Sequence, residues 1–119
     1  MAMTTDPYAA EELEGVIPLA ELVQYEPGAV VSRTLLKKEA GTVTAFAFDV
    51  GEGLSEHTAP FDALVMIIEG ESEISVAGTS HRVSAGHLLR LPAGQPHALK
   101  AITPFKMLLI MIRAPGAVA

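Results

Sequence analysis

The chain has 119 residues, half of them hydrophobic, which indicates one domain with one hydrophobic core rather than a disordered protein. Its 14 acidic residues outnumber its 8 basic ones, the net charge is −6, and no basic run is present, so we expect no nucleic-acid partner. The absence of cysteine excludes disulfides, thiolate metal ligands and cysteine nucleophiles.

Neither the N-terminus nor the apolar runs of the chain suggest membrane targeting. The longest run of large apolar residues, 107–112, is far shorter than the ~20 residues of a membrane-spanning helix. The first residues have neither the basic start nor the apolar stretch of a signal peptide. We therefore expect a cytoplasmic protein with no membrane partner.

Short strands are predicted along most of the chain. Residues 1–16 are small, polar and acidic and predict a loose tail, and the amphipathic segment 17–25 predicts either a strand or a helical turn. Apolar or alternating segments bounded by turn residues then predict strands at 29–37, 42–50, 63–69, 72–76, 81–83, 88–91, 97–101 and 105–113. Because no segment has the pattern of a long helix, the predicted fold is an all-β sandwich or barrel.

Two of these strands are apolar on both faces. Segments 64–68 and 107–112 contain no polar residue, although a barrel wall buries only one face of each strand. The other face needs cover, because soluble monomers rarely expose large apolar patches. We expect a homodimer, in which a second copy covers that face. The alternative is that the N-terminal segment folds over it. Met66, Met107 and Met111 are predicted to pack in the core or in this interface.

Two spaced motifs carry a family resemblance. The first has glycine, five residues and histidine, and closes on a second glycine; the other has glycine, five residues, proline, one residue, glycine, two residues and histidine. The positions that fit are Gly51, His57 and Gly70 in the first motif, and Gly86, Pro92, Gly94 and His97 in the other. In these residues the chain resembles the small single-domain cupins, which are conserved β-barrels.

The resemblance implies an all-β cupin barrel, that is, a jelly-roll-like double-stranded β-helix, over residues 17–119, after the loose tail 1–16. In metal-bearing cupins three His and one Glu face into the barrel, and this chain keeps two of the four as His57 and His97. Ala59 stands at the second His position, Ala63 at the Glu position, and Ala101 at the last position of the second motif, where the family has Asn. We expect the three alanines to leave room in a pocket between the histidines.

A divalent transition metal (Zn, Fe, Mn, Ni or Cu) would bind through His57 and His97. Catalytic zinc usually has about three protein ligands, and non-haem iron commonly uses two His and one carboxylate. The candidate third ligand is Asp62, which strand alternation turns to the opposite face unless the preceding Pro60 and Phe61 interrupt the strand. Alternatively, water completes the set, or the two histidines are hydrogen-bonded packing residues without a ligand.

The sequence is compatible with three functions. The first is a small-molecule binding protein with weak or no metal, whose pocket is lined by both histidines and the three alanines. The second is a metal-dependent dioxygenase or isomerase in which His57 and His97 hold the ion. The third is a structural dimer without a ligand. The sequence leaves open whether the protein is an enzyme, because this barrel hosts many activities.

Overall fold

Strands make up nearly all the regular structure in the computed structural model, which describes residues 2–5 and 13–114. They are β1 (Ala2–Thr5), β2 (Ala29–Lys38), β3 (Gly41–Phe48), β4 (Gly53–His57), β5 (Phe61–Glu69), β6 (Glu71–Val76), β7 (Thr79–Ser84), β8 (Leu88–Leu91), β9 (His97–Ala101) and β10 (Phe105–Arg113). One 3-10 turn, Leu19–Glu21, lies before β2. The all-β prediction is confirmed, although β4 was not among the predicted strands.

The strands form two sheets that enclose the core. The larger sheet has the order β1-β2-β3-β10-β5-β8, and the smaller has the order β4-β9-β6-β7. All neighbours are antiparallel except β1 and β2. This arrangement is the predicted double-stranded β-helix. Among the described residues, no helix is long and apolar enough to cross a membrane.

Turn chemistry fixes where several strands end. Gly70, between β5 and β6, has φ of +79°, and a Cβ at this position would lie 2.1 Å from the carbonyl oxygen of Pro104. Only glycine fits both the positive φ and this close approach. Ala77 and Gly78, with φ of 49° and 84°, form the two-residue turn between β6 and β7. Positive φ at both central residues suits the twist of a hairpin, and β6 and β7 pair antiparallel on either side of this turn.

The core lies between the two sheets and is mainly aliphatic and aromatic. Phe48 and Phe105 stack at its centre, with ring centroids 4.4 Å apart and an interplanar angle of 6°. The inward residues alternate along each strand, as the pleat requires. The buried cluster comprises Val30, Phe46, Phe48, Ala63, Val65, Ile67, Ile74, Val83, Leu91, Leu99, Ala101, Phe105 and Met107.

The N-terminal strap (residues 13–25) crosses the outer face of the larger sheet. Its Leu22 and Val23 are buried in a second cluster with Ala45 and Ala47 of β3. The 3-10 turn within it agrees with the helical-turn alternative for segment 17–25. The N-terminal segment therefore covers part of this face. This agrees in part with the alternative to a homodimer.

Polar contacts fasten the strap to the sheet. The buried Lys106 donates from Nζ to the carbonyl oxygen of Ala20 (2.6 Å) and lies 4.9 Å from the centre of the Tyr25 ring. The Tyr25 hydroxyl donates to Glu69 over 2.7 Å. Burial raises the pKa of Tyr25, and the hydrogen bond and negative charge of Glu69 raise it further, so the hydroxyl stays a donor.

The tail prediction needs one correction. Residues 1–16 were expected to be loose, but Ala2–Thr5 forms β1 and pairs parallel with β2, from Ala2 opposite Ala29 to Thr5 opposite Ser32. Without β1, β2 would be the edge strand of the larger sheet, and backbone pairing with β1 covers that edge. Residues 1 and 6–12 of the predicted tail, and residues 115–119 of the predicted barrel, lie outside the described residues.

Candidate functional site

Two histidines from neighbouring strands meet at one end of the barrel. His57 is the last residue of β4 and His97 the first of β9, and the antiparallel register pairs them directly. Their ring centroids are 4.4 Å apart, with an interplanar angle of 68°. His97 is 8% exposed, whereas His57 is exposed at the rim. The predicted meeting of the two imidazoles is therefore present, with one ring inside and one at the mouth.

Backbone hydrogen bonds fix the tautomer of both rings. Nδ1 of His57 lies 2.8 Å from the carbonyl oxygen of Ser55, and Nδ1 of His97 lies 3.2 Å from that of Gln95. A carbonyl only accepts, so each Nδ1 carries the hydrogen. In the neutral ring Nε2 is then an acceptor. Within 13–114, no hydrogen-bond partner is present for either Nε2, so two lone pairs remain available to a ligand.

The environment keeps the His97 ring neutral. Burial lowers the pKa of His97 below its ordinary value of 6.5, the neighbouring His57 lowers it as well, and the hydrogen bond to Gln95 opposes both effects. Desolvation disfavours the charged imidazolium in an apolar site. At neutral pH His97 is therefore an acceptor at Nε2.

A small apolar cavity lies beneath the two rings. Its volume is about 50 Å³. One water needs roughly 10–15 Å³ on this measure, so the cavity holds a few waters or a ligand of a few heavy atoms. Apart from the two histidines, the lining is entirely apolar: Leu54, Ala59, Phe61, Ala63, Val65, Leu91, Leu99, Met107, Leu109 and Met111.

Of the six predicted site residues, four line this cavity: His57, Ala59, Ala63 and His97. Ala101 does not, which corrects the predicted pocket. It faces inward on β9, but it lies four residues beyond His97, about 13 Å along a strand. Ala101 is buried in the core and pairs with Ser72 of β6, towards the other end of the barrel.

Asp62 is also not brought to the histidines. β5 begins at Phe61 and pairs with β10 in regular register from Phe61 to Ile67, so alternation places Asp62 on the face opposite to Phe61 and Ala63. Its Oδ1 accepts a hydrogen bond from the backbone N–H of Ala93, over 3.0 Å. Asp62 therefore fastens the loop that leads to His97 and is not a third ligand.

The donor set does not match that of a divalent metal centre. Over the described residues, no group of three or more His, Cys, Asp or Glu side chains is placed to hold an ion. Two imidazoles alone fall short of the three protein ligands usual at catalytic zinc or iron sites.

Sequence reasoning missed most of the apolar lining. The missing residues follow from alternation: Phe61 and Val65 flank Ala63 at every second position, and Leu99 follows His97 in the same way. Met107, Leu109 and Met111 form the same series on β10, opposite β5. Once one residue of a strand is predicted to face inward, alternation predicts that the residues two positions before and after it face inward as well.

Comparisons with known proteins agree with this fold. A cupin-domain family profile matches residues 45–112. A conserved protein of unknown function from Streptococcus pyogenes has a solved structure with 35% identity and a TM-score of 0.83, over 88% of this chain and 92% of that one. A cupin superfamily protein from Desulfitobacterium hafniense has 29% identity and a TM-score of 0.81, over 86% of this chain and 94% of that one.

A third solved structure is a cupin 2 conserved barrel domain protein from Leptotrichia buccalis. It has 41% identity and a TM-score of 0.77, over 79% of this chain and 46% of that one. Among curated proteins, none matches at a significant level. The profile spans more than half of the chain, including both histidine motifs on the strands described above, and the chain belongs to the cupin family.

Proposed function

We propose that this protein binds a small molecule in the cavity beneath His57 and His97. One observation carries the proposal: two unpartnered Nε2 atoms lie beside a cavity whose walls are otherwise apolar. Pockets with apolar walls and a few placed polar groups are typical of small-ligand sites. A ligand that donates to one of these Nε2 atoms while its apolar part packs against the walls would add a hydrogen bond to the burial of apolar surface.

The cavity also restricts the class of ligand. A neutral imidazole accepts at Nε2, so the ligand needs one donor, such as the hydroxyl of an alcohol, a phenol or a protonated acid. The rest of the ligand must be apolar, because the walls offer no partner to further polar groups. Sugars are disfavoured on this ground. A volume of about 50 Å³ limits the ligand to a few heavy atoms unless side chains move.

Binding is favoured over the metal-dependent dioxygenase or isomerase. That function needs ligands beyond His57 and His97, and the described part of the chain offers no further His, Cys, Asp or Glu at the pair. An ion there would have to take its other ligands from water or substrate.

The proposal is tested by thermal shift with a panel of small alcohols, phenols, carboxylic acids and sugars. A ligand at 100 times its Kd stabilises the protein by about 2.7 kcal/mol, which is readily measured. Ala63→Leu fills the cavity and should abolish the shift. Ala98→Leu is the matched control, because Ala98 lies next to His97 but on the outward face of β9, and it should keep the shift.

Two results would count against the proposal. A shift that survives in Ala63→Leu would place the ligand elsewhere on the protein. No shift with any class of compound would favour the structural dimer without a ligand.

A further inference from the structure

The inward face of β10 ends in a cation at the mouth of the barrel. Met107, Leu109 and Met111 line the cavity at every second position, and alternation continues this face to Arg113, the last residue of the strand. Exposure rises in the same direction, because Met107 is 1% exposed while Met111 and Arg113 are half-buried. Arg113 therefore lies above the cavity, towards its open side.

Packing and hydrogen bonds connect Arg113 to the wall of the cavity. It pairs directly with Phe61 of β5, and its guanidinium carbon, Cζ, lies 5.8 Å from the centre of the Phe61 ring. Phe61 is itself part of the cavity lining. The backbone N–H of the next residue, Ala114, donates to the carbonyl oxygen of Pro60 over 3.2 Å, in the loop that follows His57. The guanidinium is thus at the same end of the barrel as the histidine pair.

The protein uses only part of the hydrogen-bonding capacity of Arg113. Nε donates to the carbonyl oxygen of Glu39 over 3.1 Å, and the backbone N–H donates to that of Ala40 over 2.8 Å, so the strand end and the side chain are both held in place. Within the part of the chain that the structure describes, no carbonyl or carboxylate accepts from the terminal nitrogens, Nη1 and Nη2. A half-buried guanidinium held at Nε, with both terminal nitrogens available, is suited to a planar anion.

The anion that this guanidinium fits best is a carboxylate. Its two terminal nitrogens can bind both oxygens of a carboxylate, and its single positive charge balances the single negative charge. A phosphate monoester carries nearly two negative charges at neutral pH, so one guanidinium would leave part of that charge unbalanced. Because the net charge of the chain is −6, an anionic ligand needs a local cation of this kind.

We propose that the ligand is a short aliphatic hydroxycarboxylate, whose carboxylate binds Arg113 at the mouth, whose hydroxyl donates to Nε2 of the histidine pair, and whose alkyl group enters the cavity. The inference rests on the proposed function, because it names the class of ligand for the same cavity. The ionised carboxylate stays above the apolar walls, so only the alkyl group has to fit the volume of about 50 Å³. Both polar groups then lie at one end of the ligand, as in 2-hydroxybutyrate.

The test is an NMR titration that follows the His97 imidazole, with 2-hydroxybutyrate and with 2-hydroxybutyramide, which has the same shape without the charge. The wild-type protein should bind the acid at least about tenfold more tightly than the amide, because the amide cannot form the charge-assisted bidentate pair. Arg113→Gln should reduce this ratio to about one by weakening the acid alone. Arg90→Gln is the matched control, because it makes the same change of charge at an exposed position of β8 outside the cavity lining, and it should keep the ratio.

The ratio of acid to amide affinity separates a binding role of Arg113 from a structural one, because both ligands are measured on the same variant. Circular dichroism should show that the wild type, Arg113→Gln and Arg90→Gln are equally folded. Equal affinity of the wild type for the acid and the amide would overturn the proposal. A ratio that survives in Arg113→Gln would overturn it as well.

This proposal and the proposed function fail in distinguishable ways. If the acid and the amide bind equally and Ala63→Leu abolishes both, the role of Arg113 is wrong and the proposed function stands. The same holds if neither binds while a neutral compound gives a thermal shift that Ala63→Leu abolishes. If no compound binds, both are wrong.

Discussion

Filling the cavity should stabilise the protein in the absence of any ligand. Ala63→Leu adds three carbon atoms at the wall of a cavity of about 50 Å³, and each is comparable in size to one of the few waters that would fit there. Burial of about 0.8 kcal/mol per carbon gives roughly 2.4 kcal/mol. Ordering the leucine side chain costs about 0.5–1 kcal/mol, so the expected net gain is about 1–2 kcal/mol.

The matched control is Ala101→Leu, which adds the same three atoms to the same core without an adjoining cavity. Ala101 is 3% exposed and is absent from the cavity lining. Overpacking a filled core costs about 1–3 kcal/mol, so this variant should lose stability. Urea denaturation of both variants and the wild type measures the two changes. Equal losses in both variants would show that the space beside Ala63 is filled, which would remove the basis of the binding proposal.

Three further predictions concern the pH response, the outer face and the strap. The pKa of His97 is lower in the folded protein than its ordinary 6.5, so acid favours the unfolded state, and stability should fall as the pH drops through and below 6.5. His97→Gln should flatten that fall in urea melts at pH 7.5 and 5.5; an equal slope would contradict it. Sedimentation should show a homodimer rather than a 12.5 kDa monomer, and Met66→Lys should dissociate it; a wild-type monomer at micromolar concentration would refute this. Tyr25→Phe removes the hydrogen bond to Glu69 and should cost about 1 kcal/mol by urea denaturation, and no loss would show that this bond does not hold the strap.

The strands and the histidine pair could be predicted because both depend on local signals. Alternation identifies the inward residues of a strand, and the glycines with positive φ mark the turns between strands. The proximity of His57 and His97 could be predicted because each belongs to a spaced motif. β4 was missed because its residues, Gly53–His57, lack the apolar alternation of the other strands.

Two predicted site residues lie away from the cavity because of their position along a strand or the direction of their side chain, and not because of their residue type. Ala101 faces inward like His97, and only the rise along β9 removes it from the cavity. Asp62 would face the histidines only if the strand were interrupted at Phe61, and the regular start of β5 rules out that interruption. The bond from the Ala93 N–H to Asp62 joins residues 31 positions apart and has no local sequence signal.

The strap covers one part of the outer face of the larger sheet and leaves another apolar part exposed. Ala45 and Ala47 are small and leave a depression on β3, where Leu22 and Val23 of the strap are buried. Elsewhere on that face Met66, Leu88 and Ile112 keep 37%, 58% and 57% of their surface exposed. Met66 and Leu88 are cross-strand partners and form an exposed apolar patch at the β5–β8 edge, whereas Ile112 lies on β10 opposite Asp62. The strap buries the part of the sheet built from alanine and leaves the part built from large side chains, so the argument for a second copy of the chain now applies to this patch alone.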